Sequence, residues 1–264
     1  MWPWLALMYL VGVGSFSHFT WISATELLLF TFPLNLYLYG LNDLYDTESD
    51  RLSDRKGGAQ GIAPNDGELA ALRKFVWVSP VLLLVVAALS GNVVHFALAF
   101  AFVLLCFTYS HPSVRAKGIP VLDCLNSAAG YCIPGLIAYS LHAPLSALPP
   151  AVFFIVLAYM GIHAMTTIID EDADRRAGTR TIGVVFGKRG TIIFALCMFA
   201  ASLVVFRNSV LLASIFFVSV LHGFVFLAVD NKHDDKLFRF AAPAVLISFM
   251  MVAMVYFIIQ ANVA

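Results

Sequence analysis

Asn42, Asp46 and Asp50 recur at intervals of four, and Asp170 and Asp174 repeat the interval. Residues four apart share one face of a helix, with Cβ atoms about 5–6 Å apart. Carboxylates placed that way repel each other unless a cation lies between them. An all-oxygen donor set suits Mg²⁺, which is held by one or two carboxylates together with substrate phosphates. Both sets begin where an apolar segment ends, and 11 of the 16 acidic residues fall within 43–68 and 170–174. Solvation of loop charges does not require this spacing, and polar groups at membrane depth are costly and usually functional. A diphosphate would need cations or N–H donors besides the metal. Candidates are Arg55, Lys56, Arg115, Lys117, Arg175, Arg176 and Arg180, with Gly57 and Gly58 allowing close backbone approach.

The elements that must carry these residues are apolar. The 264-residue chain is 61% hydrophobic and 12% charged, with a mean hydropathy of +0.87. Soluble chains carry about 25% charged residues, so this is a membrane protein. The sequence predicts an all-α polytopic bundle of nine transmembrane helices around a central cavity, in one domain over 1–264. The segments run about 2–15, 22–44, 70–90, 93–110, 119–141, 147–170, 190–206, 209–228 and 237–260. In lipid the backbone must satisfy itself, which favours helices, and the alternating segments of a barrel are missing. Residues 1–13 are apolar but short for a span, which needs about 20 residues, and they lack the basic start of a signal peptide.

Orientation follows from counting. Loops and helix ends after the second, fourth, sixth and eighth segments hold 15 of the 16 Lys and Arg residues, leaving Arg207 on the other side. The positive-inside rule makes the first side cytoplasmic, with the N-terminus and both acidic clusters there. Net charge is zero and no basic patch forms, so nucleic acid is not a partner. Cys106, Cys124, Cys132 and Cys197 read as small buried hydrophobes, because none forms a CxxC pair. Asn35, seven residues before Asn42, extends a polar stripe into the bundle. His163, seven before Asp170, shares that residue's face and is a candidate proton acceptor. Asp123 and Asn126 stand out in an apolar segment.

At these residues the chain resembles the UbiA superfamily of intramembrane prenyltransferases. Residues 42–50, NDLYDTESD, fit the family's NDxxDxxxD motif; residues 170–174, DEDAD, with Arg175, Gly178 and Thr181, fit the second; residues 109–117, YSHPSVRAK, resemble its YSxPxxRxK segment. The resemblance covers nearly the whole chain. It implies two Mg²⁺ ions bridging Asn42, Asp46, Asp50, Asp170 and Asp174 to a prenyl diphosphate. It puts Tyr109, Arg115 and Lys117 beside the diphosphate, with Arg55 and Lys56 as further cations. Asp46, Asp50, Asp170, Asp174 and Lys117 are then the catalytic set. The stretch 48–61, with its Asp-Arg-Lys-Gly-Gly run, is similar to lycopene elongases, which make C50 carotenoids. The expected reaction is transfer from dimethylallyl diphosphate to lycopene, through an allylic cation that Tyr37, Tyr39 or Tyr45 would shield. Three alternatives stand beside it: the same chemistry on an aromatic quinone precursor or other lipid, an ion-coupled secondary transporter, and a structural subunit of a heteromeric set. Transporter sites favour broken helices at the midplane, whereas these clusters end helices on one side. No HExxH, GxSxG or Walker motif occurs, so zinc, serine and ATP chemistry lack support.

Overall fold

The computed structural model describes residues 4–46, 65–148 and 151–203. Every regular element among them is helical: α1 Trp4–Val13, α2 Trp21–Phe30, α3 Phe32–Tyr45, α4 Asp66–Phe75, α5 Val78–Leu89, α6 Val93–Ser110, α7 Leu122–Tyr139, α8 Ala151–Ile169, α9 Glu171–Arg176 and α10 Ile182–Ser202, with short 3₁₀ turns between some of them. The segments expected at 209–228 and 237–260 lie outside the described residues. Among the described residues, four stretches are long and apolar enough to cross a membrane: Trp21–Tyr45, Asp66–Leu89, Val93–Ser110 and Ile182–Ser202. Large apolar side chains stand exposed in helical register on α5 (Val81, Leu82, Val85, Leu89) and α6 (Phe96, Phe100, Leu104). Such stripes suit lipid rather than water.

Two segments expected to be continuous, 22–44 and 70–90, are broken, and a third helix starts before its expected bound. The second divides at Thr31, because Pro33 has no N–H to give the preceding turn. Asn35 is buried there, and its amide donates to the carbonyls of Phe30 (3.1 Å) and Thr31. Asn35 therefore holds a kink, rather than only extending a polar stripe. The third divides between α4 and α5. α10 begins at Ile182, earlier than expected, and breaks at Gly187 (φ 63°).

The described residues form two compact units: 4–46, 65–116 and 129–148 in the first, and 117–128 with 151–203 in the second. In the first unit, Tyr9, Phe30, Leu34, Tyr37, Leu41, Leu83, Phe102 and Ile137 are fully buried. Phe30 stacks on Tyr9 (5.2 Å between centroids) and meets Phe102 edge-on (5.3 Å). α1 lies against α7 backbone to backbone: a Cβ at Gly12 would sit 2.7 Å from the Gly135 carbonyl carbon. In the second unit α8 and α10 are equally close, since a Cβ at Gly183 would meet the Thr167 carbonyl oxygen at 2.7 Å.

The alternation of ends predicted from charge is visible inside the first unit. His18, after α1, stacks on His142, after α7, at 4.1 Å. Asn92, before α6, caps that helix through the amides of Val94 and His95 and donates to the Ser140 carbonyl (2.8 Å). At the opposite helix ends, Asp46 after α3 meets Arg115 after α6. Of the four cysteines, Cys106 and Cys124 are buried as expected, Cys132 is part-buried and Cys197 is exposed. A lipid-facing helix can present a thiol outward at little cost.

Candidate active site

The first acidic motif begins inside α3, whose C-cap is Asp46; residues 47–50 of the motif lie outside the described residues. The Asp46 amide donates to the Asn42 carbonyl (2.9 Å), so the two side chains leave one continuous turn. Asp46 is only 7% exposed. A carboxylate so enclosed needs compensating charge, and an Arg115 guanidinium nitrogen lies 3.7 Å from its Oδ1. The loop supplying Arg115 is bent to do so. α6 ends at His111, whose carbonyl accepts from Val114 (3.1 Å) and Arg115 (2.8 Å), and Arg115 takes φ +45°. A left-handed backbone at arginine is strained, and such strain clusters at functional sites. Tyr109 lies in the last turn of α6, part-buried.

Aromatic rings brace the same end of this unit. Tyr45 meets His111 edge-on at 5.1 Å, and His111 stacks on Phe107 at 4.3 Å. Phe107 packs on Trp77 (6.0 Å), and Trp77 on Tyr37 (5.6 Å). Tyr37 is buried and donates to the Val103 carbonyl (3.0 Å), while the Tyr39 and Tyr131 hydroxyls pair at 2.9 Å. Tyr37 and Tyr39 thus tie helices together, and Tyr45 belongs to the brace behind Asp46.

The second motif lies in the second unit. Asp170 is the N-cap of α9, and the Asp174 amide donates to its carbonyl (2.8 Å), preserving the one-turn relation. Asp174 accepts from the Thr181 hydroxyl through Oδ2 (3.1 Å), while its backbone carbonyl accepts from the Thr179 amide (2.8 Å). Thr179 and Thr181 are both buried. These bonds fold 174–181 into a closed loop and give the glycine and threonine of the motif a physical role. Arg175 pairs with Glu171 (2.7 Å) and Arg176 donates to the Asp172 carbonyl (3.3 Å), so both are engaged within their own helix. Lys117 is buried in the same unit, at 6% exposed. A buried lysine is rare without charged company. Asp50, Arg55 and Lys56 lie outside the described residues.

One polar cluster has no counterpart in the sequence reading, and a second gives partners to Asp123, which the sequence marks only as unusual in an apolar segment. In the first unit, Glu26 on α2 accepts from Tyr9 on α1 (2.7 Å) and bonds Nε2 of His95 on α6 (2.8 Å). His95 Nδ1 contacts the Ile137 carbonyl (2.9 Å) and Ser140 Oγ (3.0 Å) from α7. A lone glutamate and a lone histidine in separate apolar segments were the available signal. In the second unit, Asp123 is fully buried on α7, accepting from its neighbour's amide at Cys124 (2.7 Å) and from the Ile182 amide that opens α10 (2.8 Å).

A helical bundle whose acidic turns end helices, one backed by an arginine and the other by a threonine, defines the class. The chain matches the UbiA prenyltransferase family over residues 1–251, and it belongs to that family. Among curated relatives, it is 33% identical over 214 residues to a lycopene elongase/hydratase of Halobacterium salinarum, covering 78% of this chain and 74% of that protein. It is 30% identical over 204 residues to the C(50) beta-cyclic carotenoids biosynthesis protein LbtBC of Dietzia sp.. That match covers 76% of this chain but spans only 46% of LbtBC, about half its length. The fold is that of a solved UbiA homolog from Archaeoglobus fulgidus bound to DMAPP and Mg²⁺, with a TM-score of 0.68 at 19% identity over 95% of both chains.

Proposed function

We propose that this chain is an Mg²⁺-dependent prenyltransferase that moves a dimethylallyl group from its diphosphate to lycopene, on the way to C50 carotenoids. The observation that carries the reading is Asp46, an enclosed carboxylate ending a membrane helix one turn after Asn42 and facing an arginine held in a strained conformation. The family match supports the donor class, and the lycopene elongase/hydratase and the C(50) carotenoid biosynthesis protein among the relatives support the acceptor.

The donor set suits the metal. Asn42, Asp46, Asp170 and Asp174 offer oxygen only, which hard Mg²⁺ prefers over mixed sulfur and nitrogen sites. Asp50 continues the same spacing in sequence, and two ions are the number proposed. When bound, Mg²⁺ supplies positive charge against the diphosphate as it leaves. The chain's own residues do the rest. Arg115 and Lys117 hold diphosphate oxygens, Tyr109 donates to them, and Arg55 and Lys56 add cations from the first loop. Thr181 keeps Asp174 in one rotamer, so its carboxylate needs no reorganisation during reaction. The allylic cation then meets the electron-rich terminal double bond of lycopene in a cavity shielded from water. The acidic turns and the N-terminus lie on the cytoplasmic side, a placement supported by the charge count.

The test uses purified protein in lipid nanodiscs with dimethylallyl diphosphate, Mg²⁺ and lycopene. Diphosphate release and C45 or C50 product are followed together. Chelation abolishes both. Asp46→Ala and Asp174→Ala each lower release by about 100-fold, the scale of losing one preorganised electrostatic partner. Wild-type release from either variant refutes the site, and release without any C45 or C50 product refutes lycopene as acceptor.

A further inference from the structure

We propose that His163, backed by Asp123, is the proton acceptor that ends the transfer; this rests on the prenyl-transfer reading above. His163 is the one imidazole on α8, and it is half-buried while Gly161, Ile162, Ala164 and Met165 around it are buried. An ionisable side chain in such a helix is costly and points to function. The other polar groups of this stretch close on their own helix: Thr166 donates to the His163 carbonyl (2.7 Å) and Thr167 to that of Ala164 (2.8 Å). The His163 ring instead reaches α7, where one ring nitrogen, an Asp123 carboxylate oxygen and the Cys124 sulfur all lie within 4.8 Å of one another.

Asp123 is built to stay where it is. Its two oxygens accept amides from Cys124 and from Ile182, at the start of α10. Val121, two residues earlier, holds φ +71°, a genuine outlier for a β-branched residue. Strain of that kind persists only where surrounding structure demands it. A fixed carboxylate beside an imidazole stabilises the imidazolium that proton uptake creates, the role a carboxylate plays behind a general-base histidine.

The position also suits the chemistry. His163 lies seven residues before Asp170 on the same helical face, about 10 Å along the axis at 1.5 Å per residue. The ionising C–O bond gives its electron pair to the diphosphate. The π pair of lycopene's terminal double bond forms the new C–C bond and leaves a tertiary cation one carbon further from the diphosphate. An adjacent C–H then breaks, its electron pair becomes the new double bond, and its proton goes to the free electron pair of the His163 ring. The imidazolium passes that proton to the diphosphate as the products leave. The step therefore needs a base deeper along the helix than the metal-binding turn, and among the described residues of α8 the imidazole of His163 is that base.

His163→Gln in nanodiscs, with dimethylallyl diphosphate, Mg²⁺ and lycopene, tests this. Diphosphate release stays within about threefold of wild type, while the alkene form of the prenylated carotenoid per diphosphate released falls about 100-fold, a general base's usual share; the tertiary cation instead takes up water, loses a proton to solvent and leaves as the hydroxylated prenylated carotenoid, so the yield followed below is that of the alkene. In His163→Ala, added imidazole restores product yield without raising release, and Asp123→Asn lowers the same yield. An unchanged yield in His163→Gln overturns the proposal, as does loss of release and product together. Stoichiometric zinc in wild type, lost from His163→Gln, also overturns it, because Asp123, Cys124 and His163 would then be ligands. Absence of diphosphate release from wild type sinks the transferase reading instead.

Discussion

The Glu26 network makes a prediction whose sign is unusual. Glu26 and His95 are both fully buried, and each is the other's partner at 2.8 Å. Glu26→Leu strips partners from two buried groups, Tyr9 Oη and His95 Nε2. At about 1–3 kcal/mol for each buried group left unsatisfied, the loss is about 2–6 kcal/mol. His95→Leu strips only the Glu26 carboxyl, because Ser140 Oγ already donates to the Ile137 carbonyl at 2.6 Å, so its loss is about 1–3 kcal/mol. The double variant leaves only the Tyr9 hydroxyl, again about 1–3 kcal/mol. His95→Leu therefore destabilises the wild type but stabilises Glu26→Leu. Unfolding free energies from dodecyl-sulfate titration in mixed micelles, followed by circular dichroism, measure all four corners of the cycle. If His95→Leu costs the same in both backgrounds, near the membrane average of about 0.6 kcal/mol per interhelical hydrogen bond, the orphaned groups have found other partners and the reasoning fails.

Two further outcomes follow from packing and titration. Gly12→Ala drives a methyl into the Gly135 backbone, where no side chain can move aside, and costs about 1–3 kcal/mol or more in the same titration; a neutral substitution would mean α1 is not seated on α7. His142 has its pKa lowered by partial burial and then by the neighbouring His18. A lowered histidine binds fewer protons folded than unfolded, so its contribution is present above the unfolded pKa, about 6.5, and lost as pH falls through the folded value. The melting temperature drops between pH 7 and pH 5, and His142→Asn makes that drop smaller; an equal drop in the variant removes His142 as its source.

What could be read from the sequence was whatever is local. Asn42 with Asp46, and Asp170 with Asp174, announce themselves because one helical turn relates them and the hydrophobic background makes three carboxylates and an amide conspicuous. The apolar segments fixed most span positions for the same reason. Pro33 carried the kink at Thr31 in plain view, but its compensation by Asn35 depends on a side-chain rotamer that periodicity does not encode. Glu26 and His95 are 69 residues apart, and no spacing rule joins them. The Asp123 bond to Ile182 crosses 59 residues and converts an apparently misplaced carboxylate into the anchor of α10. Gly12 and Gly135 were legible as glycines only; which backbone each admits is a tertiary fact.

Within the first unit the two helix ends are built on opposite principles. One end is satisfied throughout: Tyr9, Glu26, His95 and Ser140 close a buried network across α1, α2, α6 and α7, beside the Asn92 cap and the His18–His142 stack. The other end holds Arg115 at positive φ against a half-exposed, long ion pair to Asp46. Strain of order 1–3 kcal/mol survives only where the rest of the structure over-determines it. A bundle clamped at one end can carry such strain at the other without opening, and the diphosphate site proposed above would gain from it. The guanidinium and carboxylate are then held near their working positions before substrate arrives, so less binding energy goes into arranging them. In the proposed transferase the buried Glu26–His95 network would then support catalysis at a distance: weakening it should loosen the Asp46–Arg115 end first, raising the substrate concentration needed for half-maximal rate before the protein unfolds.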